Sequence, residues 1–414
     1  MTTNRPSCPL CGNNTKKNGT TSKSTTRWRC THCGHSFTRN TQTHNKNTAT
    51  MALFIQWATG TQSLTTFAAH HGVTRQTMHH RFRWCWWIIP TPTIDSFRIH
   101  DQIFLDATYL KSGCLLIAAS KTHVINWTWA RHETTAAYTE LLRPIAAPLI
   151  AVTDGGQGAQ SAIHHCWPTT RIQRCLVHAQ RTVRRHTTSN PRTDAGKTLY
   201  RLALKLTRIT DLDQASTWVA HLHEFDHTYR EWMNEKTTIK DPATGAYTKV
   251  YTHQRVRAAY QSLLSLHRRD LLFTYLQPPP TTIDPDNLAA TTNSLEGGIN
   301  APIKELARRH RGLSLPHQRT VMDWWLYLHT EVPDDPVKIA RDQRWGQDAL
   351  STATDLITHN TTATTNDIGA PAEYDTAIDT SYQHNLGIQK GSIVYTECFG
   401  RSFGSEITAT GCPK

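Results

Sequence analysis

Residues 101–130 have the sequence DQIFLDATYLKSGCLLIAASKTHVINWTWA, which decides the fold of the central part of the chain. Its three short apolar runs predict three consecutive β-strands, at 103–105, 115–119 and 124–129. Further along, the pattern predicts a helix over 134–142, a buried strand over 149–152, and helices near 157–166 and 175–187. Successive strands followed by alternating helix and strand indicate an α/β domain built on a mixed sheet.

Two aspartates follow apolar strand segments of this predicted sheet. Asp106 ends the first strand in LDATYL, and Asp154 ends the fourth in VTDGGQG. Ligands and metals collect at strand ends in open α/β sheets. Two neighbouring carboxylates need a cation to stay ionised, so the pair predicts a hard divalent metal, and Mg²⁺ fits. Taken alone, each aspartate is explained equally well as a turn residue.

The charge of the chain is unevenly distributed. The 414 residues carry a formal net charge of +13. Residues 1–94 contain eleven Lys and Arg and no Asp or Glu, whereas residues 331–414 contain six basic and twelve acidic side chains. The basic amino-terminal block predicts a polyanionic partner, and nucleic-acid phosphate is the expected counter-charge.

No apolar run is long enough for a membrane span, and none follows the charged start as in an export signal. We therefore expect a cytoplasmic, nucleoid-associated protein with reduced cysteines, in which paired spacing favours metal binding over disulfides.

Four cysteines are paired in two CxxC motifs. Cys8 and Cys11 form the first pair, and Cys30 and Cys33 form the second after eighteen intervening residues. This spacing predicts one tetrahedral structural Zn²⁺. Two redox-active CxxC pairs are the alternative, which the absence of a surrounding βαβ pattern disfavours.

Residues 63–87 resemble a helix-turn-helix. Leu64, Phe67 and Ala68 form an apolar face, Gly72 permits a turn, and Thr74 is placed to cap a second helix. The DNA-contacting residues predicted on and just after that second helix are Arg75, Gln76, His79, Arg81 and Arg83. A plain helical hairpin that packs Trp84, Trp86 and Trp87 is the alternative.

A third acid, Glu296, lies in TTNSLEGGIN, residues 291–300. Asn293 and Glu296 have the spacing of a capping box, in which the glutamate bonds back to the start of the helix. That interpretation leaves Gly297 and Gly298 unexplained, since each glycine costs a helix about 1 kcal/mol relative to alanine. A catalytic role for Glu296, with DNA or backbone approaching the glycines, is the competing interpretation, and we favour it.

Together these motifs resemble the Mutator-like DDE transposases, in the bacterial insertion-sequence branch that carries an amino-terminal zinc ribbon. The motifs that carry the resemblance are LDATYL, VTDGGQG, QRCLVHAQR at 173–181, TTNSLEGGIN with the following Ile303-Lys304, and the aromatic HQRTVMDWWLYLHT at 317–330. The resemblance implies that Asp106, Asp154 and Glu296 bind two Mg²⁺ ions, for which Mn²⁺ substitutes. It also implies that water cuts the element's ends and that the freed 3′-hydroxyls attack target DNA.

The implied fold is multidomain α/β. It has an RNase H-like mixed-sheet core with an all-helical insertion, preceded by a zinc ribbon and a helix-turn-helix. The predicted boundaries are 1–45 for the zinc ribbon, 50–92 for the helix-turn-helix domain, 98–190 for the first part of the core, 191–288 for the all-helical insertion, 289–333 for the final core helices with the third acid, and 334–414 for a tail whose composition leaves it open to disorder.

The QRCLVHAQR motif contains a CxxH pair, Cys175 and His178. A second zinc site with His165 and Cys166 is one interpretation of the pair, and support of the active site or of bound DNA is the other. Further DNA-contacting residues are predicted from their positive charge on helices near the motifs, at Arg181, Arg184, Arg185, Lys304 and Arg308.

The predicted function is that of a transposase, which binds terminal inverted repeats and catalyses Mg²⁺-dependent strand cleavage and strand transfer. The expected partners are double-stranded transposon-end and target DNA and further copies of the chain, in a homodimer or larger homo-oligomer. A DNA-binding regulator with an inactive core and a metal-dependent nuclease that cuts without joining are the alternatives.

Overall fold

The computed structural model describes residues 5–8, 11–240, 245–347 and 349, apart from the side chains of 40–42. These residues form two compact units. The first contains the chain up to Thr91 together with Leu306–Leu328 and the described residues from Val332 onward. The second contains Pro92–Glu305 and His329–Glu331.

The first unit begins with a small antiparallel sheet. Its strands are β1 (Thr15–Thr20), β2 (Thr26–Cys30) and β3 (Ser36–Thr38). Trp28 on β2 lies opposite Phe37 on β3, and both side chains are buried. So small a sheet buries little apolar surface, and domains of this size depend on a metal or another staple for stability.

Three helices follow in the same unit, α1 (Arg39–Ala58), α2 (Leu64–His70) and α3 (Arg75–Phe82). The Thr74 hydroxyl accepts a hydrogen bond from the Thr77 backbone N–H and caps α3, as predicted. Gly72 has a φ of +65°, which a side chain would disfavour, so the chain turns there between the two helices.

The second unit contains a five-stranded mixed sheet. Its strands are β4 (Gln102–Leu110), β5 (Gly113–Ala119), β6 (Val124–Ala130), β7 (Ile150–Thr153) and β8 (Arg171–Arg174). The spatial order is β6-β5-β4-β7-β8, in which β4, β5 and β6 are antiparallel neighbours and β7 is parallel to both β4 and β8. The predicted mixed sheet is confirmed.

Three helices connect and follow these strands, α4 (Thr135–Leu142), α5 (Gln157–Cys166) and α6 (Leu176–Thr187). Two strand predictions need correction. β4 does not end at Asp106 but continues to Leu110, because its second half pairs with β5. β8 was not predicted, since its sequence RIQR carries two arginines and a glutamine in four residues.

The segment between the sheet and the third acid is mostly helical. It contains α7 (Asp194–Leu206), α8 (Leu212–Asn234), β9 (Lys236–Lys240), β10 (Tyr247–Tyr251) and α9 (Gln254–Arg268). Buried side chains such as Leu199, Leu222 and Leu263 form its core. The prediction of an all-helical insertion is therefore wrong. β9 and β10 pair as an antiparallel hairpin, and their sequences KTTIK and YTKVY are rich in β-branched and aromatic residues.

The remaining elements are α10 (Asn293–Leu295), a π-helical turn at Glu296–Asn300, α11 (Ala301–Arg309), α12 (Leu315–Leu328) and α13 (Pro336–Asp342). α13 lies inside the predicted tail, and it buries Val337 and Ala340. The start of that segment is therefore folded, while 350–414 lie outside the described residues. Within the part of the chain that the structure describes, no helix combines the length and apolarity of a membrane span.

Candidate functional site

The four cysteines of the two CxxC motifs come together in the first unit. Their Sγ atoms all lie within 4.8 Å of one another. The Cys8–Cys33, Cys11–Cys30 and Cys11–Cys33 sulfur pairs are each 3.5 Å apart. Tetrahedral Zn²⁺ with bonds of about 2.3 Å holds its sulfurs roughly 3.8 Å apart, so the cluster has the size of a zinc site.

In the second unit, the two predicted aspartates lie side by side. β4 and β7 are parallel, and the last pair in their register is Leu105 with Thr153. Asp106 directly follows Leu105 and Asp154 directly follows Thr153, so the two aspartates lie at equivalent positions on neighbouring strands. The structure therefore brings together the two aspartates that the motifs identified.

Asp106 is buried and its carboxylate is held from two sides. Oδ1 accepts a hydrogen bond from the Ala107 backbone N–H at 2.9 Å, and Oδ2 accepts one from Asn300 Nδ2 at 2.7 Å. Burial raises the pKa of Asp106 to about 6, and the negative charges of Asp154 and Glu296 contribute to the rise. The carboxylate is thus a destabilised anion that a cation would neutralise.

This raised pKa predicts how stability depends on pH when no Mg²⁺ or Mn²⁺ is bound. The pKa of Asp106 is about 6 in the folded chain against an ordinary 3.8. Its contribution to stability is therefore fully present below pH 4 and is lost as the pH rises through 6. Asp106→Asn mimics the protonated form, so its stability advantage over the wild type should grow from near zero at pH 4 to on the order of 3 kcal/mol at pH 7.

Denaturant unfolding of both proteins across that pH range, without Mg²⁺ or Mn²⁺, measures the difference. The stability of the four-cysteine cluster also changes with pH, but this change is common to both proteins and cancels in the difference. An advantage that stays constant from pH 4 to pH 7 would contradict the prediction.

Asp154 lies in a tight turn at the end of β7. Its Oδ1 accepts a hydrogen bond from the Gly156 backbone N–H at 2.9 Å. Gly155 has a φ of +93°, and a Cβ there would overlap the guanidinium group of Arg174. The turn interpretation of Asp154 is therefore correct, and the turn fixes where the carboxylate lies.

A fourth carboxylate, Glu133, borders the pair and was not identified from the sequence. A Cβ on Gly156 would lie 3.5 Å from Asp154 Oδ1 and 3.6 Å from Glu133 Oε2, so both carboxylates border that position. The Tyr138 hydroxyl donates to Glu133 Oε2 at 3.4 Å. Burial raises the pKa of Glu133, as do the charges of Asp154 and Asp106.

Glu296 begins the π-helical turn and faces α6. Arg181 donates two hydrogen bonds to it, from Nη1 to Oε1 at 3.0 Å and from Nη2 to Oε2 at 3.2 Å. His178 Nε2 lies 3.4 Å from Oε1. The third acid is thus paired with two basic side chains of α6, one of which was predicted to contact DNA.

The π-helical turn has a local cause. Pro302 lacks the N–H that would bond to the Gly298 carbonyl in an α-helix, and its ring would collide with that carbonyl. The flexible Gly297 and Gly298 allow the turn to widen by one residue, which forms the π-helical geometry. Pro302 therefore does not end the helix but sits in the first turn of α11.

The capping-box interpretation of Glu296 is wrong. Thr292, not Asn293, precedes the short helix α10, and no side chain caps its start. Both carboxylate oxygens of Glu296 accept from Arg181 instead. The side chain therefore pairs with α6 and not with the start of its own helix.

The CxxH pair connects α6 to the segment that carries Glu296. Cys175 is buried, and its Sγ accepts hydrogen bonds from the Thr292 N–H and hydroxyl, both at 3.3 Å. The neighbouring Cys175 raises the pKa of His178, and so do the charges of Asp154 and Glu296, while burial opposes the rise. Among the described residues, His165 and Cys166 do not lie close enough to Cys175 and His178 to form a metal site with them. The structure therefore favours the second interpretation, in which the pair supports the active site or bound DNA.

The acidic residues fit a hard divalent cation by their chemistry, since buried carboxylates that raise one another's pKa need positive charge. In the described part of the chain, the oxygens of Asp106, Asp154 and Glu296 do not all lie within 4.8 Å of one another. Arg181 and His178 hold Glu296 in this structure. A cation shared by all three acids would therefore require Glu296 to exchange its partners.

The predicted DNA-contacting side chains outside this site are all exposed to solvent. They are Arg75, Gln76, His79, Arg81 and Arg83 in the first unit, and Arg184, Arg185 and Lys304 in the second, while Arg308 on α11 is exposed as well. Their exposure is consistent with the predicted contacts to DNA.

Comparison with known proteins gives one family match. Residues 122–256 match the family model described as "Transposase, Mutator family". The matched segment contains Asp154 and the CxxH pair, whereas Asp106 and Glu296 lie outside it. The resemblance to Mutator-like transposases is confirmed over this segment. No curated protein matches the chain.

Proposed function

We propose that the chain is a DDE-type transposase that cuts and joins DNA at a divalent-metal site formed by Asp106, Asp154 and Glu296. One observation carries the proposal. Asp106 and Asp154 follow paired residues of two adjacent parallel strands, and the second lies within a segment that matches the Mutator family. The sheet order β6-β5-β4-β7-β8 supports the RNase H-like assignment, with the α7–α9 segment as the insertion before the third acid.

The side chains have distinct tasks in this proposal. Asp106 is oriented by the Ala107 N–H and by Asn300, and Asp154 by the Gly156 N–H. Glu296 approaches from the π-helical turn and is held by Arg181 until the site is loaded. Two bound Mg²⁺ ions would activate the attacking oxygen and stabilise the leaving one in an in-line displacement.

The first unit would recognise the transposon ends. A zinc ribbon on the four cysteines and a helix-turn-helix on α2 and α3 would supply sequence specificity, which a metal site lacks. Arg75, Gln76 and His79 lie in the first turns of α3, the part of a recognition helix that contacts base edges. Two ends must be held together for joining, which implies a homodimer or larger homo-oligomer.

Basic side chains of the second unit would contact DNA phosphates. Arg184 and Arg185 follow Arg181 on α6, and Lys304 lies on α11. Cβ atoms on Gly297 and Gly298 would meet nothing within 4 Å among the described residues outside their own helical turn. The open surface beside Glu296 therefore leaves room for a DNA backbone to approach the acids.

A joining assay tests the function. The protein is incubated with a labelled inverted-repeat end, a plasmid target and Mg²⁺ or Mn²⁺. We expect labelled product joined to the plasmid, because free 3′-hydroxyl ends attack target DNA in transposition. Cleavage without joining would assign a nuclease, and DNA retarded in a gel but left uncut would assign a regulator with an inactive core.

A further inference from the structure

Asn300 lies at the end of the π-helical turn and contacts the candidate metal site. Its side chain is 4% exposed, and Nδ2 donates a 2.7 Å hydrogen bond to Asp106 Oδ2. The residue was not identified from the sequence as a site residue. Both the NH₂ group and the carbonyl oxygen of a buried amide need a hydrogen-bonding or ligand partner.

The orientation of this amide follows from its partner. A carboxylate only accepts hydrogen bonds when ionised, so the amide nitrogen must face Asp106 and the oxygen must face elsewhere. That oxygen, Oδ1, is buried and has no hydrogen-bond partner among the described residues. An unpartnered buried acceptor destabilises the folded chain, and a ligand bound to it would remove that cost.

This oxygen lies close to the Asp106 carboxylate that a cation at the acids would contact. The two polar atoms of an amide are roughly 2.3 Å apart. Added to the 2.7 Å hydrogen bond, this places Oδ1 no more than about 5 Å from Asp106 Oδ2. Side-chain amide oxygens belong to the oxygen ligands that hard divalent cations accept.

We propose that Asn300 is a further ligand of the divalent cation, contributing Oδ1 while Nδ2 holds Asp106. This inference rests on the proposed function, because it requires a cation at the acids. Asn300, four positions beyond Glu296, then connects the π-helical turn to Asp106 of the sheet.

Binding of Mn²⁺, followed by the electron paramagnetic resonance signal of the free ion, tests the proposal without an activity measurement. Asn300→Ala should weaken binding by at least about 10-fold, the lower end of the loss typical when a supporting partner of a metal site is removed. Asn300→Asp keeps an oxygen at the position and loses the amide donor, so it should bind within a few-fold of the wild type or more tightly.

Asn126→Ala is the matched control. Asn126 is also buried in this unit but donates to the Leu141 carbonyl at 2.8 Å, so its loss should leave Mn²⁺ affinity unchanged.

Two results would overturn the proposal. Asn300→Ala could bind Mn²⁺ as tightly as the wild type, or the Ala and Asp variants could lose affinity equally, in which case Asn300 only orients Asp106. Thermal unfolding of each variant establishes that it is folded.

Asp154→Asn separates this inference from the proposed function. If that variant binds Mn²⁺ like the wild type, the metal site itself is refuted, whereas failure of the Asn300 variants alone refutes only the added ligand.

Discussion

Asp154→Asn should reduce strand cleavage and joining by roughly 10³-fold or more, while binding of end-containing DNA stays within a few-fold of the wild type. The reason is that the neutral amide keeps the size of the side chain and its turn but loses the charge that a metal needs. Charge stabilisation by a bound metal is worth several kcal/mol, and each 1.36 kcal/mol is about tenfold in rate. Labelled-end cleavage assays and gel retardation measure the two quantities.

The matched control is Asp213→Asn, the same change on an exposed residue of α8. It should leave cleavage unchanged. A second variant, Asp154→Cys, tests the metal directly. A thiolate prefers softer ions than a carboxylate does, so cleavage by this variant should recover more with Mn²⁺ than with Mg²⁺. Cleavage by Asp154→Asn at the wild-type rate would exclude Asp154 from the catalytic site.

Cys30→Ala should abolish the proposed zinc binding and unfold the β1–β3 sheet, because Cys30 is a buried member of the four-cysteine cluster. Structural zinc contributes roughly 10–16 kcal/mol of apparent binding free energy to small domains that fold around it. We expect zinc content to fall from one ion per chain to near zero, with loss of binding to transposon-end DNA. Zinc analysis of purified protein and gel retardation provide the measurements.

Cys85→Ala is the control for this experiment. Cys85 is likewise buried in the first unit, but among the described residues it is not part of the four-cysteine group. Zinc content should be unchanged in that variant. Retention of a full zinc equivalent by Cys30→Ala would show that the cluster does not depend on Cys30.

The sequence predicts those parts of the fold and site that depend on short-range patterns. The apolar runs of residues 101–130 identify three strands, and the CxxC spacing identifies a cluster that the structure assembles. Asp106 and Asp154 are identifiable because each follows a buried apolar run, and adjacent parallel strands place such residues together. Thr74 caps α3 for an equally local reason.

The features that the sequence does not predict depend on the relative direction of strands and on contacts between residues far apart in the chain. β6 is antiparallel to β5, which is antiparallel to β4, so Glu133 after β6 arrives at the same edge of the sheet as Asp154. No local pattern reveals that. The β9–β10 hairpin was missed because its short strands lie between long segments of helical periodicity. The pairing of Arg181 with Glu296 and that of Asn300 with Asp106 join residues 115 and 194 positions apart along the chain.

The order of the acids along the chain has a consequence during synthesis. Asp154 precedes the α7–α9 segment and Glu296 follows it, 142 positions later. At about 5–20 residues per second, a ribosome takes roughly 7–30 s to cover that distance. A nascent chain therefore carries both aspartates for many seconds before the glutamate exists. Chains that stop within this interval lack Glu296, Asn300 and the whole of α11, so translational truncation yields products without the complete acid set.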